Sequence, residues 1–371
     1  ISTIAQKMLN YFPLPNVTGV LSANYVNVPR ETYDEDEFDI RLDHTFSATD
    51  RTFARFTRDQ ASVYVPSGLP GFGSQPGGYA SNQTLADRGR NIAISETHIF
   101  ASNKINQFTA GYNRIFDHIL SYGDGTNWSD QLGIPNANLG TYFSSGFLNT
   151  QFNEGYWGLG DRGFSPIQDG TNVFHYSDDF EWVHGSHSFS IGMGVRFFQL
   201  NELGDSFPMG EMSFDNLFTA GFLNGSLNSA TGNPIASFLL GIPAGGEHDN
   251  EFEGSISGRR WKEFRPYFQD SWRMRPNLTV QLGLAWNFTT PTVEAQNRYS
   301  NFDFATGSLL IAGVNSSKTA GLSSYYLGFE PRVGISYSPF SRKNSIRAGY
   351  AILHDACLLY TSPSPRDRQK S

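Results

Sequence analysis

The stretch LTVQLGLAWNF, from Leu278 to Phe288, decides the fold. Leu278, Val280, Leu282, Leu284, Trp286 and Phe288 alternate with Thr279, Gln281, Gly283, Ala285 and Asn287, which is strand period with one apolar face and one small or polar face. At ~3.3 Å per residue the stretch runs roughly 36 Å, beyond the five or six residues usual in soluble sheets, and a tilt of about 40° brings it to the height of a bilayer's hydrocarbon. The pattern predicts a strand that spans a membrane. Trp286 and Phe288 close the apolar stripe, where amphipathic rings suit the boundary between water and lipid.

The pattern recurs along the chain. Phe189, Ile191, Met193, Val195 and Phe197 alternate with Ser190, Gly192, Gly194 and Arg196. Val333, Ile335 and Tyr337 alternate with Arg332, Gly334 and Ser336, and beyond a turn Ile346, Ala348, Tyr350 and Ile352 alternate with Ser345, Arg347, Gly349 and Ala351. Phe38, Ile40 and Leu42 alternate with Asp39, Arg41 and Asp43, and Phe108, Ala110 and Tyr112 with Gln107, Thr109 and Asn113. Two partner strands are less clean: Phe268 and Trp272 flank Asp270, and Phe174, Tyr176, Phe180 and Trp182 share a face with Asp178.

Composition agrees with an all-β membrane protein. The 371 residues are 39% hydrophobic and 15% aromatic, too aromatic and too regularly patterned for disorder, yet the mean hydropathy of −0.37 is polar. A barrel crosses with modest hydropathy because only alternate residues face lipid. The longest apolar runs, such as Ile235 to Ile242, fall far short of the ~20 residues a spanning helix requires. A formal charge of −8 gives no basic stripe for nucleic acid.

The last residues read differently. Cys357 to Asp367 is CLLYTSPSPRD, the translation of a DNA string that resembles a transposase-based sequencing-library adapter, so residues 357–371 are expected to be a non-native tail and the native chain to end near Ala356. The single cysteine lies in that tail, which leaves no thiol chemistry or Cys-based metal site to build on. Ile1 begins without Met and without a secretory signal, and the chain is expected to be a gene fragment.

Strands are expected in hairpins, with tight connections near Ser47–Asp50, Ala101–Lys104, Val183–His187, Met274–Asn277 and Pro339–Asn344. Between the hairpins lie long segments near Gln60–Arg88, Ile119–Thr171, Asn201–Glu263 and Thr289–Gly328, the plan of an outer-membrane barrel with short periplasmic turns and long extracellular loops. The expected organisation is a lead-in over residues 1–33, a partial antiparallel transmembrane barrel of about ten strands over 34–356, and the tail. Ile4 to Leu9 in the lead-in is expected to form a short helical turn that Pro13 and Pro15 stop.

Four segments resemble a known family. YFQDSWRMRPNLTVQLGLAWNF from Tyr267, EFDIRLDHTFSATDRTFARF from Glu37, AQKMLNYFPLPN from Ala5 and EPRVGISYSPFSRKNSIRAGYAILHD from Glu330, with FLLGIP at Phe238 to Pro243, are similar to TonB-dependent outer-membrane receptors, especially the Oar-like group. The resemblance implies a barrel of about twenty-two strands, larger than this chain supplies, with a plug domain inside it and a TonB-type energy-coupling partner in the periplasm. It also implies a receptor that binds an extracellular ligand and passes it inward. The alternative it leaves open is a structural or adhesive barrel without active transport. A soluble β-rich enzyme or lectin has no use for an outward stripe of Leu, Val, Trp and Phe.

Site chemistry is sparse, and no catalytic, cofactor or metal residue is assigned. His184 and His187 in HGSH stand at i and i+3 in a turn with no third ligand and are read as exposed turn residues. DGTN occurs at Asp124–Asn127 and Asp169–Asn172; without the spacing or distal Glu of a calcium loop, both are read as turn formers. GFGSQPGG at Gly71–Gly78 lacks a following Lys-Ser/Thr and is read as loop. Asp39, Arg41, Asp43, Arg55, Arg196, Arg332 and Arg347 are expected to face a hydrated lumen and to pair there with one another or with a plug.

Overall fold

A computed structural model describes residues 1–20, 23–74, 82–204, 206–249, 256–339 and 344–354. Ten strands make the path of its main sheet, β1 (Thr32–Thr45), β2 (Asp50–Val65), β3 (Gln83–Ala101), β4 (Lys104–Ser121), β5 (Ile167–His184), β6 (His187–Leu203), β7 (Ile256–Arg275), β8 (Leu278–Trp286), β9 (Phe329–Tyr337) and β10 (Ile346–Ala351), and two short segments, Phe288–Thr289 and Val293–Glu294, add to β7. Each of the ten pairs antiparallel with its neighbour in the chain, so spatial order follows sequence order from β1 to β10. Among the described residues β1 and β10 do not meet, and the sheet is open.

Register places the apolar stripes on one face. Leu282 lies opposite Asp270 on one side and Val333 on the other, while Phe268 lies opposite both Ile191 and Leu284. Because side chains alternate at every residue, the cross-strand partners of an outward residue are also outward. Ile40, Ile94, Phe108, Ile191, Phe268, Leu282 and Val333 are all exposed, which for large apolar side chains on adjacent strands marks a surface made for lipid rather than water.

Several details differ from the sequence reading. Most strands run further than their apolar alternation: the first three long connections shrink to 66–82, 122–166 and 204–255, because beyond the lipid-facing band the strands carry polar residues on both faces and lose their signature, while the fourth, at 287–328, stays close to its expected bounds. The Leu278–Phe288 strand is interrupted at Asn287, whose N–H turns to the Gly328 carbonyl at 2.8 Å, and resumes at Phe288–Thr289 against β7. Asp169–Asn172 is strand, not turn, lying within β5 opposite β4 and β6. The turn expected near Pro339–Asn344 and the residues from 355 on fall largely or wholly outside the described residues, as does part of Gly71–Gly78.

The connections at the long-loop end fold together with the lead-in. Thr3–Leu9 is a helix, α1, N-capped by the Ser2 hydroxyl and joined to the Leu239 carbonyl through the Ser2 N–H. Its Ala5 and Met8 pack against Phe72, Leu132, Phe147, Leu159, Phe214 and Phe238, drawn from three different connections. A small sheet orders this cap, running Gly245–Glu247, Glu211–Phe214, Asn149–Phe152, Gly158–Leu159 and Gly73–Ser74. Gly160 adopts φ +115°, and a Cβ there would stand 2.2 Å from the Leu148 carbonyl oxygen, so only glycine allows the chain to pass.

Candidate functional site

The inward face is the polar side of the alternation, and its charges pair both within and across strands. Arg55 binds Asp39 at 2.5 Å and Arg41 binds Asp43 at 2.7 Å, while Arg196 stands 3.8 Å from Glu263. Arg332 reaches Glu330 at 3.2 Å. The lumenal charges singled out in the sequence thus sit on one surface, where Asp39 with Arg55 and Arg41 with Asp43 pair among themselves.

Glu330, Arg265, Glu263, Tyr267 and Asp179 were not singled out, because each pairs with a residue far away in sequence. Glu330 has no exposed surface and accepts from Arg265 at 2.6 Å, from Arg332, and from the His354 backbone N–H at 3.0 Å. The Tyr267 hydroxyl donates to Asp179 at 2.6 Å across β6. These bonds tie alternate strands of the wall together beneath its surface.

Two further features mark the inward face. Over β7 to β10 a concavity of about 690 Å³ is lined by Gln269, Gln281 and Arg347, with Gly283, Gly334 and Gly349 keeping its floor low. Nearer the long-loop end, Asp87, Asp117, Asp169 and Glu202 stand opposite one another in a single row across β3 to β6, and Arg259 closes the row on Glu202 at 3.0 Å. Asp169 belongs to the second DGTN, so that motif contributes to a charged lumenal row. Such a surface offers charged and hydrogen-bonding groups on the inward side of the sheet.

The other candidates settle elsewhere. His187 is half-buried, stacked between Phe189 and Trp272, and holds Asp270 at 2.8 Å on the outward face; it is a packed residue rather than a free turn residue. Asp178, also on that face, accepts from the Asn106 amide at 2.6 Å. Asp50, Glu96 and His98 form a compact outward group at the short-turn end, where His98 bonds Asp50 at 2.5 Å.

Asp124, from the first DGTN, does form a turn, followed by Gly125 at φ +86°. One of its oxygens accepts the Ser121 N–H at 2.7 Å and the Ser165 hydroxyl at 2.6 Å, while the other is buried without a partner. Asp161, fully buried beside it, accepts the Gly123 and Phe147 N–H groups at 2.9 and 2.7 Å. Burial raises the Asp124 carboxyl to about 6; burial and then the Asp124 charge raise Asp161 to about 7.

A family model described as "Outer membrane beta barrel domain" matches residues 1–365. Among solved structures, the chain is similar to the outer membrane transporter YddB from Escherichia coli, at 10% identity over 86% of this chain and 40% of that one, with a TM-score of 0.44. It is also similar to the siderophore receptor PiuA from Acinetobacter baumannii, at 11% identity, 91% and 43% coverage and TM-score 0.45. The ferric-catecholate import receptor Fiu from E. coli K12 gives 11%, 87% and 47%, and 0.45. The chain spans less than half the length of each of these three. No curated protein matches it.

Proposed function

Given that the chain belongs to the outer membrane β-barrel domain family and lies in the outer membrane, we propose that it forms part of the wall and external cap of a TonB-dependent receptor that binds a ligand outside the cell and passes it to the periplasm. The family is one of membrane barrels rather than catalysts, and the wall is organised for binding. The observation that carries the reading is the inward face: a ten-strand wall with paired charges, one ion pair of which spans three strands, a glycine-floored concavity and a row of four carboxylates below the cap. A barrel needs such a face only if something polar sits in or moves through it.

In this reading the lumen is filled by a plug domain, the full barrel has about twenty-two strands, the short turns face the periplasm and the long connections face outward. An energy-coupling protein of TonB type engages the plug. The four resembling segments favour the Oar-like group, which keeps a structural or adhesive role as the second reading; the packed aromatic cap at the outer end is the observation that favours it, since a folded surface can serve contact as well as capture.

The test is uptake. Deletion of the complete gene should abolish growth on a ligand whose import requires the proton-motive force, and restoration should require both the plug and the coupling partner. Unchanged uptake together with lost surface attachment would select the adhesive reading.

A further inference from the structure

At the long-loop end of the outward face, Arg58, Arg90 and Arg114 lie directly opposite one another on β2, β3 and β4. Three like charges on neighbouring strands in one row repel, so the arrangement is costly unless an anion neutralises it. No ion pair to any of the three exists among the described residues. Arg58 donates to the neutral Gln60 at 2.7 Å and Arg114 to the neutral Asn172 at 2.9 Å, while the Arg90 side chain is exposed and makes no hydrogen bond among the described residues. The cross-strand row continues with Asn172, Gln199 and Arg260, so it carries no carboxylate over six strands.

The next outward row toward the membrane is apolar: Ile40, Phe56, Ile92, Tyr112, Phe174 and Phe197 stand opposite one another in succession. Tyr112 and Phe174 rings lie 5.0 Å apart, and the Tyr112 hydroxyl points up to Asn172 at 2.8 Å, sharing that acceptor with Arg114. Aromatic rings beneath a polar row mark where hydrocarbon ends and headgroups begin. The arginines therefore stand at headgroup level, with their stems over lipid and their charges without a carboxylate partner among the described residues.

We propose that Arg58, Arg90 and Arg114 form a site for the phosphate of an anionic lipid headgroup in the leaflet on the long-connection side. Arginines directly opposite on adjacent strands, whose backbones lie about 5 Å apart, can present two guanidinium groups to one phosphate. The bound lipid relieves the repulsion in the row and fixes the barrel's depth. The proposal depends on the outward face meeting lipid and not on transport, so loss of uptake leaves it untouched.

The experiment uses the full gene product purified in detergent, with phosphatidylglycerol and phosphatidylcholine as probes and native mass spectrometry as the readout. The wild type should retain phosphatidylglycerol over phosphatidylcholine. The triple variant Arg58→Gln, Arg90→Gln, Arg114→Gln should lose that preference by at least about tenfold, while a charge-matched variant in the lumen, Arg41→Gln, Arg332→Gln, Arg347→Gln, should keep it. Millimolar inorganic phosphate should not displace the lipid; displacement would mean a free-anion site and overturn the lipid assignment. Equal retention by wild type and the outward triple would overturn the site itself. Heat-modified migration on gels reports folding, and should the triple variant not fold, Arg90→Gln alone, which breaks no bond, is expected to weaken the preference about threefold or more; an unchanged preference there would also count against the site.

Discussion

Arg265 on β7 holds Glu330 on β9 at 2.6 Å across the intervening β8, passing over Ala285. The two strands share no ladder bonds, so the ion pair locks three strands with one contact, and Glu330 is covered by its partners rather than by a deep core. Glu330→Gln should cost about 1 to 3 kcal/mol, since bonds to a charged acceptor become weak or are lost. Arg265→Ala should cost less, because Arg332 and the His354 N–H still serve the carboxylate. A double-mutant cycle by denaturant titration in lipid should return a clear coupling energy between the two positions; none would mean that solvent already screens the pair.

The cap should respond to pH through Asp124 and Asp161. Both carboxyls are raised above their ordinary 3.8, to about 6 and about 7. The folded cap thus keeps protons that the unfolded chain releases, so its stability is greatest below about pH 4, falls as pH rises, and levels off above about pH 7. Hydrogen–deuterium exchange over residues 121–166, corrected for intrinsic rates, should show lower protection at pH 8 than at pH 5. The opposite slope would contradict the burial of the pair.

The two aspartates should differ on amide substitution. Asp124→Asn keeps an acceptor for the Ser121 N–H and Ser165 hydroxyl and places its amide where the unpartnered oxygen stands, so it should stabilise the cap by about 1 to 2 kcal/mol at pH 8 and flatten the pH slope. Asp161→Asn must turn its NH2 toward one of two backbone N–H groups and should destabilise. Protection factors of the Gly123 and Phe147 amides read both effects.

Phe147, with no exposed surface, anchors the cap but touches no lipid. Phe147→Ala should cost the cap about 3 to 5 kcal/mol while the barrel still migrates as a folded, heat-modifiable species. Loss of the barrel band would show that cap and wall fold as one unit.

What could be read from sequence follows where side chains meet lipid. Leu278 to Phe288 declared itself because every outward residue is apolar, and Asp178 and Asp270 were seen as blemishes on the same kind of face. Strand ends were hidden for the converse reason: β3 continues through Asp87 and Arg88, polar on both faces, where alternation has no hydropathy contrast to show. The Arg265–Glu330 pair needs two strands that are not neighbours, and the row from Asp87 to Glu202 needs the register of four strands; neither is a spacing in the chain. The cap core was missed since Phe72, Phe147 and Phe238 come from separate connections without a common period, although the short helix before Pro13 was legible from its flanking prolines.

The membrane face itself is tested most directly by two arginines one residue apart. Leu282 is exposed at the middle of the apolar stripe of β8, and Gln281 points into the lumen. In the full gene product folded into bilayers, Leu282→Arg should destabilise by roughly 2 to 4 kcal/mol, the cost of arginine near a bilayer midplane, whereas Gln281→Arg stays hydrated and should cost about 0 to 1 kcal/mol. Denaturant titration of the two variants in the same lipid gives the contrast; equal costs, or a larger cost at Gln281, would contradict a lipid-facing Leu282 and the membrane-spanning barrel with it.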